Sequence, residues 1–577
     1  MKSFKETTLP NLFLNRLYRF GTKPFLYYKT EKGWEYFTWE EVGHKVETIG
    51  RALIAYGIKK GSKVCLISEN RPDWVIFDLA ILSVGAVTVP IYSTSIMEQI
   101  SHIIKHSDAE IVIVSNASFL EKIRRSGSYP NVEHWFCFEK TMDPSDCHSM
   151  NMIHEKSHRT DVATYYQTLS NILPTDLATI VYTSGTTGDP KGVCLTHDNI
   201  VSNVTASVKM IAIRDDDVSL SYLPLSHMLE RMAGFFCFMY FGAKIYFAED
   251  LQKLPENLLE TRPTILISVP RLLEKFYNKV FETMGEKSTL VQKLFHHSLR
   301  NKNAFLHAIY SKLFFQKIRD KMGGRLKFVV CGGAPLAPGI ARFFGTIGIP
   351  VLEGYGLTET SPVISVNELH HNVIGSVGKV LDNLDVKTAQ DDEILVKGPS
   401  VMVGYYKDEK ATKEVFTSDG FFRTGDVGEY KDGVLKITDR IKELIVTSGG
   451  KKVAPQPIET ELLHHPIIDQ VCLVGEGMKT IGALIVPNKN YVMKIASQTQ
   501  NNEPYAQLLN QDVIRQPFQK IIDGINEHLS SYEQIKNFKL LKEPFTQENL
   551  ELTPTLKLRR KFISSNHQEE IQKLFRP

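Results

Sequence analysis

VYTSGTTGDPKGV, residues 181–193, interrupts an apolar region, with Ala178, Ile180 and Val181 leading in and Val193 and Leu195 leading out. Small and hydroxylated residues here replace packing surface around one lysine. Glycine lets a backbone approach a ligand closely, and successive amide N–H groups in a tight turn form a concave nest for an anion. Hydroxyls add donors, and a lysine adds a point charge suited to polyphosphate. Thr183, Ser184, Gly185, Thr186, Thr187, Gly188 and Lys191 therefore read as a phosphate cradle. The plain alternative is a flexible turn between two strands. It is not the common P-loop, which needs a Gly, four residues, then Gly-Lys-Ser/Thr. Here the fifth position after Gly185 is Pro190, and Lys191 is followed by Gly192. Pro190 also disfavours helical geometry at Asp189, so no helix starts ahead of the lysine.

On either side of this stretch, helical and strand patterns alternate. Residues 36–58 carry apolar side chains at helical spacing, and KVCLISEN (63–70) reads as a short buried strand. Residues 72–92 give a helix and another strand, AEIVIVS (109–115) a third, and LATIVYTS, TILISVP and LKFVVCGGAP repeat the signal. Such alternation implies an α/β fold of mainly parallel sheets wrapped by helices. Residues from about 144 to 173 read as an irregular, polar surface insertion. After Val377 the texture changes to short strands between Asp/Gly turns (385–406 and 420–440), as in a small antiparallel barrel over about 377–440. From Glu443 another α+β pattern follows. The expected division is a large domain, 1–440, and a small one, 441–577. A chain of 577 residues is in any case too long for one core.

Composition narrows the function classes. Hydrophobic residues at 42% and charged residues at 23% are those of a globular protein, and a net charge of +3 makes no case for nucleic acid. Seven scattered cysteines without C-x-x-C spacing argue against zinc and a disulfide framework and suit a reducing compartment. The N-terminus shows no secretory pattern. The most apolar window, 232–247, is broken by Lys244 and falls short of the roughly 20 residues of a spanning helix, so it reads as a buried helix running into a strand. A soluble cytoplasmic protein is expected. Between Arg271 and Lys327 thirteen Lys/Arg face four Asp/Glu, interleaved with Phe276, Tyr277, Phe295, Phe305, Phe314 and Phe315. That region is either a solvated face or a peripheral contact with the cytoplasmic face of an anionic membrane.

Further segments bear chemistry. CGGAPL (331–336) puts glycines at the end of a buried strand, where an open parallel sheet binds ligands. EGYGLTETSP (353–362) gathers an aromatic face, two hydroxyls and a carboxylate, and Glu359 suits Mg²⁺, a hard cation. FRTGDVGE carries Asp426, ITDRIKE carries Arg440 and Lys442, LPLSHMLER carries His227, TSGGKKVAP carries Gly449 and Gly450, and LTPTLKLRRKF carries Lys557. Each alone reads equally well as a turn, a solvated charge or a packed side chain.

In this order the segments resemble the adenylate-forming superfamily of acyl- and aryl-CoA synthetases, peptide-synthetase adenylation domains and beetle luciferase, and most of all its long-chain fatty acyl-CoA synthetases. The resemblance spans nearly the whole chain; 144–173 and about 495–519 are least anchored. It implies ATP, Mg²⁺ and CoA, with the 183–191 loop on the β- and γ-phosphates and Gly333, Ala334 and Pro335 along the adenine. Glu353, Gly354, Tyr355 and Gly356 would flank the nucleotide, with Tyr355 stacking on the purine. Thr358 would donate to the α-phosphate and Glu359 would hold the metal. Asp426 and Arg440 would take the ribose, and Lys442 would be the hinge between lobes. His227 would lie between the carboxylate site and an acyl tunnel, and Gly449 and Gly450 would face the pantetheine channel. Lys557 occupies the place of the adenylation lysine, although the family more often reads Lys-Thr-x-x-Gly-Lys there, and Arg559, Arg560 and Lys561 compete. The implied activity is conversion of a long-chain fatty acid to acyl-CoA through an acyl-adenylate. Transfer to acyl carrier protein is the alternative, and a non-catalytic fatty-acid- or nucleotide-binding protein is disfavoured.

Overall fold

A computed structural model of the chain describes residues 5–139, 147–183, 190–301, 303–501, 503–553 and 557–575. The opening stretch proves to be the two legs of a hairpin. Leu177–Thr183 pairs antiparallel with Lys191–Thr196, Val181 opposite Val193 and Thr183 opposite Lys191. Ser184, Gly185, Thr186, Thr187 and Gly188 lie outside the described residues. This hairpin belongs to a seven-stranded sheet in which Lys63–Ile67, Val87–Ile91, Ala109–Val114 and His134–Cys137 run parallel. Those strands are nearly continuous apolar runs, as strands covered on both faces must be; Val64, Cys65, Leu66 and Ile67 are fully buried. Helices alternate with these strands along the chain. Trp39–Ala55, for example, opens on a capping box in which Glu41 N–H donates to Thr38 Oγ1 (3.2 Å) and Thr38 N–H to Glu41 Oε2 (2.7 Å).

The second sheet has thirteen strands. Its parallel centre runs through Val351–Gly356, Phe328–Cys331, Ile265–Ser268, Val218–Ser221, Lys244–Phe247 and Pro24–Thr30. The antiparallel texture expected after Val377 is present, but a closed barrel is not found among the described residues. Lys379–Val380 pairs with Val363–Val366 on one side and with Val434–Arg440 on the other, so these strands extend the large sheet. Asp/Gly turns fix which neighbours form hairpins; they say nothing about which edge the assembly closes on.

The expected irregular insertion is also corrected. Residues 150–157 and 162–170 are helices capped by Ser149 and Asp161, and they bury Ile153, Tyr165 and Leu169 in the main core. Gly50 admits the Tyr165 ring, which would lie 2.5 Å from a Cβ there. The window 232–247 behaves as expected: a π-helix, Leu229–Phe236, runs into a short α-helix and then the strand Lys244–Phe247. Among the described residues no helix is long and apolar enough to cross a membrane. After residue 441 the chain builds its own three-stranded sheet, Ile468–Val474, Ile481–Pro487 and Ile535–Leu540, around a separate core.

A buried ion pair ties the π-helix to the helix Pro72–Ser83 and to the seven-stranded sheet. Arg231, on the π-helix, donates through Nε to Asp78 Oδ2 (2.9 Å) and through Nη1 to Thr179 Oγ1 (2.8 Å), and both charged side chains are fully buried. Breaking such a pair leaves an uncompensated charge, whereas removing both costs less. Arg231→Met should therefore destabilise the large lobe by about 3–5 kcal/mol, and Asp78→Leu added to it should restore part of the loss. Urea unfolding followed by the fluorescence of Trp74, whose ring lies 5.7 Å from Arg231, measures both. A double variant as unstable as the single one would contradict this.

Candidate active site

The strand Phe328–Cys331 ends in Gly332 and Gly333, the latter at φ 85°, beside Val351–Gly356. The two chains come so close that a Cβ on Gly332 would meet the Gly354 carbonyl at 3.4 Å. Gly356 is a stricter requirement, since a Cβ there would lie 1.8 Å from the Pro362 carbonyl oxygen, where the chain folds back. Gly333, Ala334 and Pro335 are exposed on the turn that results. Glu353 props that turn from below. Its carboxyl accepts the backbone N–H groups of Gly375 and Leu336, and burial pushes its pKa up to about 7.

Asp426 is the fixed point of the site. It faces Arg440 across paired strands, accepting from Arg440 Nε on Oδ1 (2.7 Å) and from the Tyr355 hydroxyl on Oδ2 (2.6 Å). The Tyr355 ring plane is thus set by its own hydroxyl. Beside this group, Glu359 lies in the one-turn helix Thr358–Thr360, and burial pushes its pKa up. Its Oε1 accepts the Tyr405 hydroxyl at 3.0 Å, and the Lys191 ammonium sits 5.1 Å over the Tyr405 ring and 4.0 Å from Asp408. Tyr405 was not singled out in the sequence. It reads there as one more strand residue in MVGYY, and only the pairing of Gly404–Tyr405 with Lys191–Thr196 brings it between lysine and glutamate.

A buried carboxylate with a raised pKa and a phenol donor is short of positive charge, which a hard dication would supply. Among the described residues no group of three or more His, Cys, Asp or Glu side chains forms a cage of its own. Glu359 is the residue here that would hold Mg²⁺, which would supply positive charge toward bound phosphates.

The small lobe delivers the second cation. Thr553 N–H donates to the Lys557 carbonyl (2.8 Å) and Lys557 N–H to Thr553 Oγ1 (3.0 Å), so the backbone of the lysine is tied to Thr553. Its ammonium lies in the field of Arg440, Asp426, Glu443 and Glu359, and burial, reinforced by Arg440, pushes its pKa down to about 8. The rival cations are accounted for. Arg560 is clamped by Glu459, with Nη1 donating to Oε1 at 2.6 Å and Nη2 to Oε2, and it also donates to the Leu473 carbonyl. Arg559 packs on Phe562 (4.0 Å to the ring centroid), and Lys561 is exposed. Lys557 is the cation of this segment that meets the cluster.

His227 stands nearby. Burial and the Lys557 charge push its pKa down to about 4, so it is neutral, and the Leu229 N–H donated to Nδ1 (3.1 Å) leaves its proton on Nε2. Lys442 falls in the short 3₁₀ turn Ile441–Glu443 that leaves the large sheet. Gly449 and Gly450 stand apart from the cluster, exposed at the tip of the hairpin Ile445–Val446/Lys452–Val453, with open space around both Cβ positions.

A sheet-end turn, an ordered acceptor and lysines from two separate segments define an enzyme that handles a nucleotide's phosphates. The profile of the AMP-binding enzyme family matches residues 13–406, and that of the AMP-binding enzyme C-terminal domain matches 442–577. The chain belongs to the AMP-binding enzyme family. It is 33% identical to the long-chain-fatty-acid–CoA ligase FadD15 of Mycobacterium bovis, over 94% of this chain and 92% of that one. It is 32% identical to the peroxisomal long chain acyl-CoA synthetase 7 of Arabidopsis thaliana, over 94% and 82% respectively. Among solved structures, the adenylation domain of a carboxylate reductase from Mycobacterium chelonae matches with a TM-score of 0.78 at 22% identity, over 98% of this chain and 91% of that one. ATP-bound MatB from Rhodopseudomonas palustris matches at 0.72 and 21%, over 97% and 99%.

The hydrogen bond from Tyr405 favours the charged form of Glu359. Tyr405→Phe should raise that carboxyl's pKa further and move the acid limb of the ATP–pyrophosphate exchange profile to higher pH. An unmoved limb would separate Tyr405 from the metal carboxylate.

Proposed function

We propose that this chain joins a long-chain fatty acid to CoA in two steps, through an enzyme-bound acyl-adenylate, releasing pyrophosphate and then AMP. The observation that carries the reading is Lys557, placed by the small lobe within the electrostatic field of Arg440, Asp426 and Glu359. In the first step a carboxylate oxygen bonds to the α-phosphorus of ATP as the bond to the pyrophosphate oxygen breaks. Both reactants are anions, so repulsion and charge on the phosphoryl oxygens dominate the barrier. Lys191 answers this from the large lobe and Lys557 from the small one. Asp426, with Arg440 and Tyr355 holding it, is the ribose acceptor, and Thr358 is the donor beside the α-phosphate. Mg²⁺, when bound at Glu359, supplies further charge neutralisation on the phosphates.

In the second step the CoA thiol attacks the acyl carbonyl and AMP leaves. Two anions no longer have to meet at the α-phosphorus, which is the task given to Lys557, so that lysine is not required there. Its lobe is free to turn at 440–443, about Lys442, with the open backbone at Gly449 and Gly450 taking the pantetheine arm, a hinge motion of ordinary kind. The relatives' names support CoA as acceptor. For the basic segment we favour the membrane reading, with the protein peripheral on the cytoplasmic face. Leu290 is 77% and Phe305 74% exposed among lysines, and the substrate class partitions into bilayers.

Lys557→Ala should lower ATP–pyrophosphate exchange by about a hundredfold or more while leaving thioester formation from supplied acyl-adenylate within a few-fold. Lys442→Pro should do the reverse. Equal losses in both half-reactions for both variants would refute the division of labour. The alkaline limb of exchange should fall near pH 8, because adenylation needs the charged lysine and loses it as pH rises through its lowered pKa; a rate undiminished at pH 9.5 would contradict that.

A further inference from the structure

The lobes touch at a second place, away from the lysine. His464 closes the helix Pro455–Leu463 of the small lobe and lies against the helix Pro338–Thr346 of the large one. A Cβ on Gly339 would stand 2.5 Å from His464 Nε2 and 2.9 Å from Cε1, so the ring rests directly on a glycine backbone. The Tyr277 ring, on the helix Pro270–Gly285, covers it at 5.3 Å and is itself packed edge-on against Phe343 at 5.1 Å. Among the described residues His464 Nε2 has no hydrogen-bond partner. Burial pushes its pKa down; Arg342 from the large lobe adds to that, and Glu461 on its own helix opposes it. The contact is therefore one of shape, made by a neutral ring, and its fit depends on the absence of one methyl group.

Both ends of this contact lead to the chemistry. On the large-lobe side, Gly339 follows the exposed turn Gly333–Pro335 by four residues, and the backbone of Leu336 between them is held by Glu353. On the small-lobe side, the helix ending at His464 carries Glu459, which accepts the Leu473 N–H (2.6 Å) and clamps Arg560, three residues beyond Lys557. A seat at one end of a helix is thus joined, through a buried ion pair, to the segment that carries the lysine.

We propose that His464 seated on Gly339 and Tyr277 is a positioning contact that aligns Lys557 for adenylate formation and is released for thioester formation. It rests on the two-step reading above. His464 touches no reacting atom. It acts by fixing where the small lobe stops, and misplacement of a reacting group by about 1 Å can cost up to a hundredfold in rate.

The test measures both half-reactions in the full-length enzyme, with Lys557→Ala as the reference. His464→Ala and Gly339→Ala should each lower ATP–pyrophosphate exchange about ten- to a hundredfold, with thioester formation from supplied acyl-adenylate within twofold and the melting temperature unchanged. The first leaves the seat empty and the second overfills it. The double variant should recover exchange relative to either single one, because the new methyl group occupies the vacated space, a non-additivity that separates this contact from two independent defects. If Lys557→Ala separates the half-reactions but His464→Ala and Gly339→Ala leave exchange unchanged, or depress both steps equally, the contact is not a positioning one and this inference alone falls. If Lys557→Ala fails to separate them, the two-step reading falls and takes this inference with it.

Discussion

A lysine ammonium held in a partly buried site is the constraint on which the arrangement turns. Moving Lys557 from its ordinary pKa of 10.5 to about 8 corresponds to roughly 3 kcal/mol of unfavourable environment for the charged form. At neutral pH the lysine is charged, so the closed arrangement carries that cost until anions enter. Triphosphate and carboxylate are the anions the reaction brings. On the proposed two-step reading, binding and lobe closure would be coupled by electrostatics: whatever favours the closed lobe would raise affinity for the anions, and the reverse. Once pyrophosphate has left and the carboxylate is masked, the reason for closure weakens.

The large lobe supplies a rigid frame against which this happens. Asp426 is held on both carboxylate oxygens by residues from different strands, and Gly356, next to Tyr355, lets the chain fold back on the Pro362 carbonyl at a distance that no side chain would tolerate. Behind them the Arg231–Asp78 pair anchors the π-helix that follows His227. On the proposed reading the small lobe carries one cation to groups that the large lobe holds fixed in advance, as preorganised electrostatic catalysis requires.

Much of this was legible in the sequence, because the chemistry restricts residue type. Asp426, Glu359 and Lys191 stand out as charges in glycine-rich surroundings, and the structure groups them with Arg440 and within the field of Lys557. What stayed hidden depended on pairing across the chain. Tyr405 acquires its role only when the short strand Gly404–Tyr405 adds to the Lys191 hairpin. Four cations between 557 and 561 look interchangeable until Glu459, about a hundred residues away, takes Arg560. Hairpin turns after Val377 were visible, but the edge they close on was not, since Lys379–Val380 finds the strand Val363–Val366. Residues 150–170 read as loop because three apolar anchors are too few to register as a period, yet Ile153, Tyr165 and Leu169 suffice to pin two short capped helices.

The most direct measurement is a crystal structure of the full chain with an acyl-sulfamoyl adenosine, a stable stand-in for the adenylate. The account predicts the ribose hydroxyls on Asp426, the sulfamoyl oxygens beside Thr358, and the Lys557 ammonium on the same group. A complex in which Asp426 keeps the ribose while Lys557 stays in solvent, with another cation on the sulfamoyl group, would contradict it.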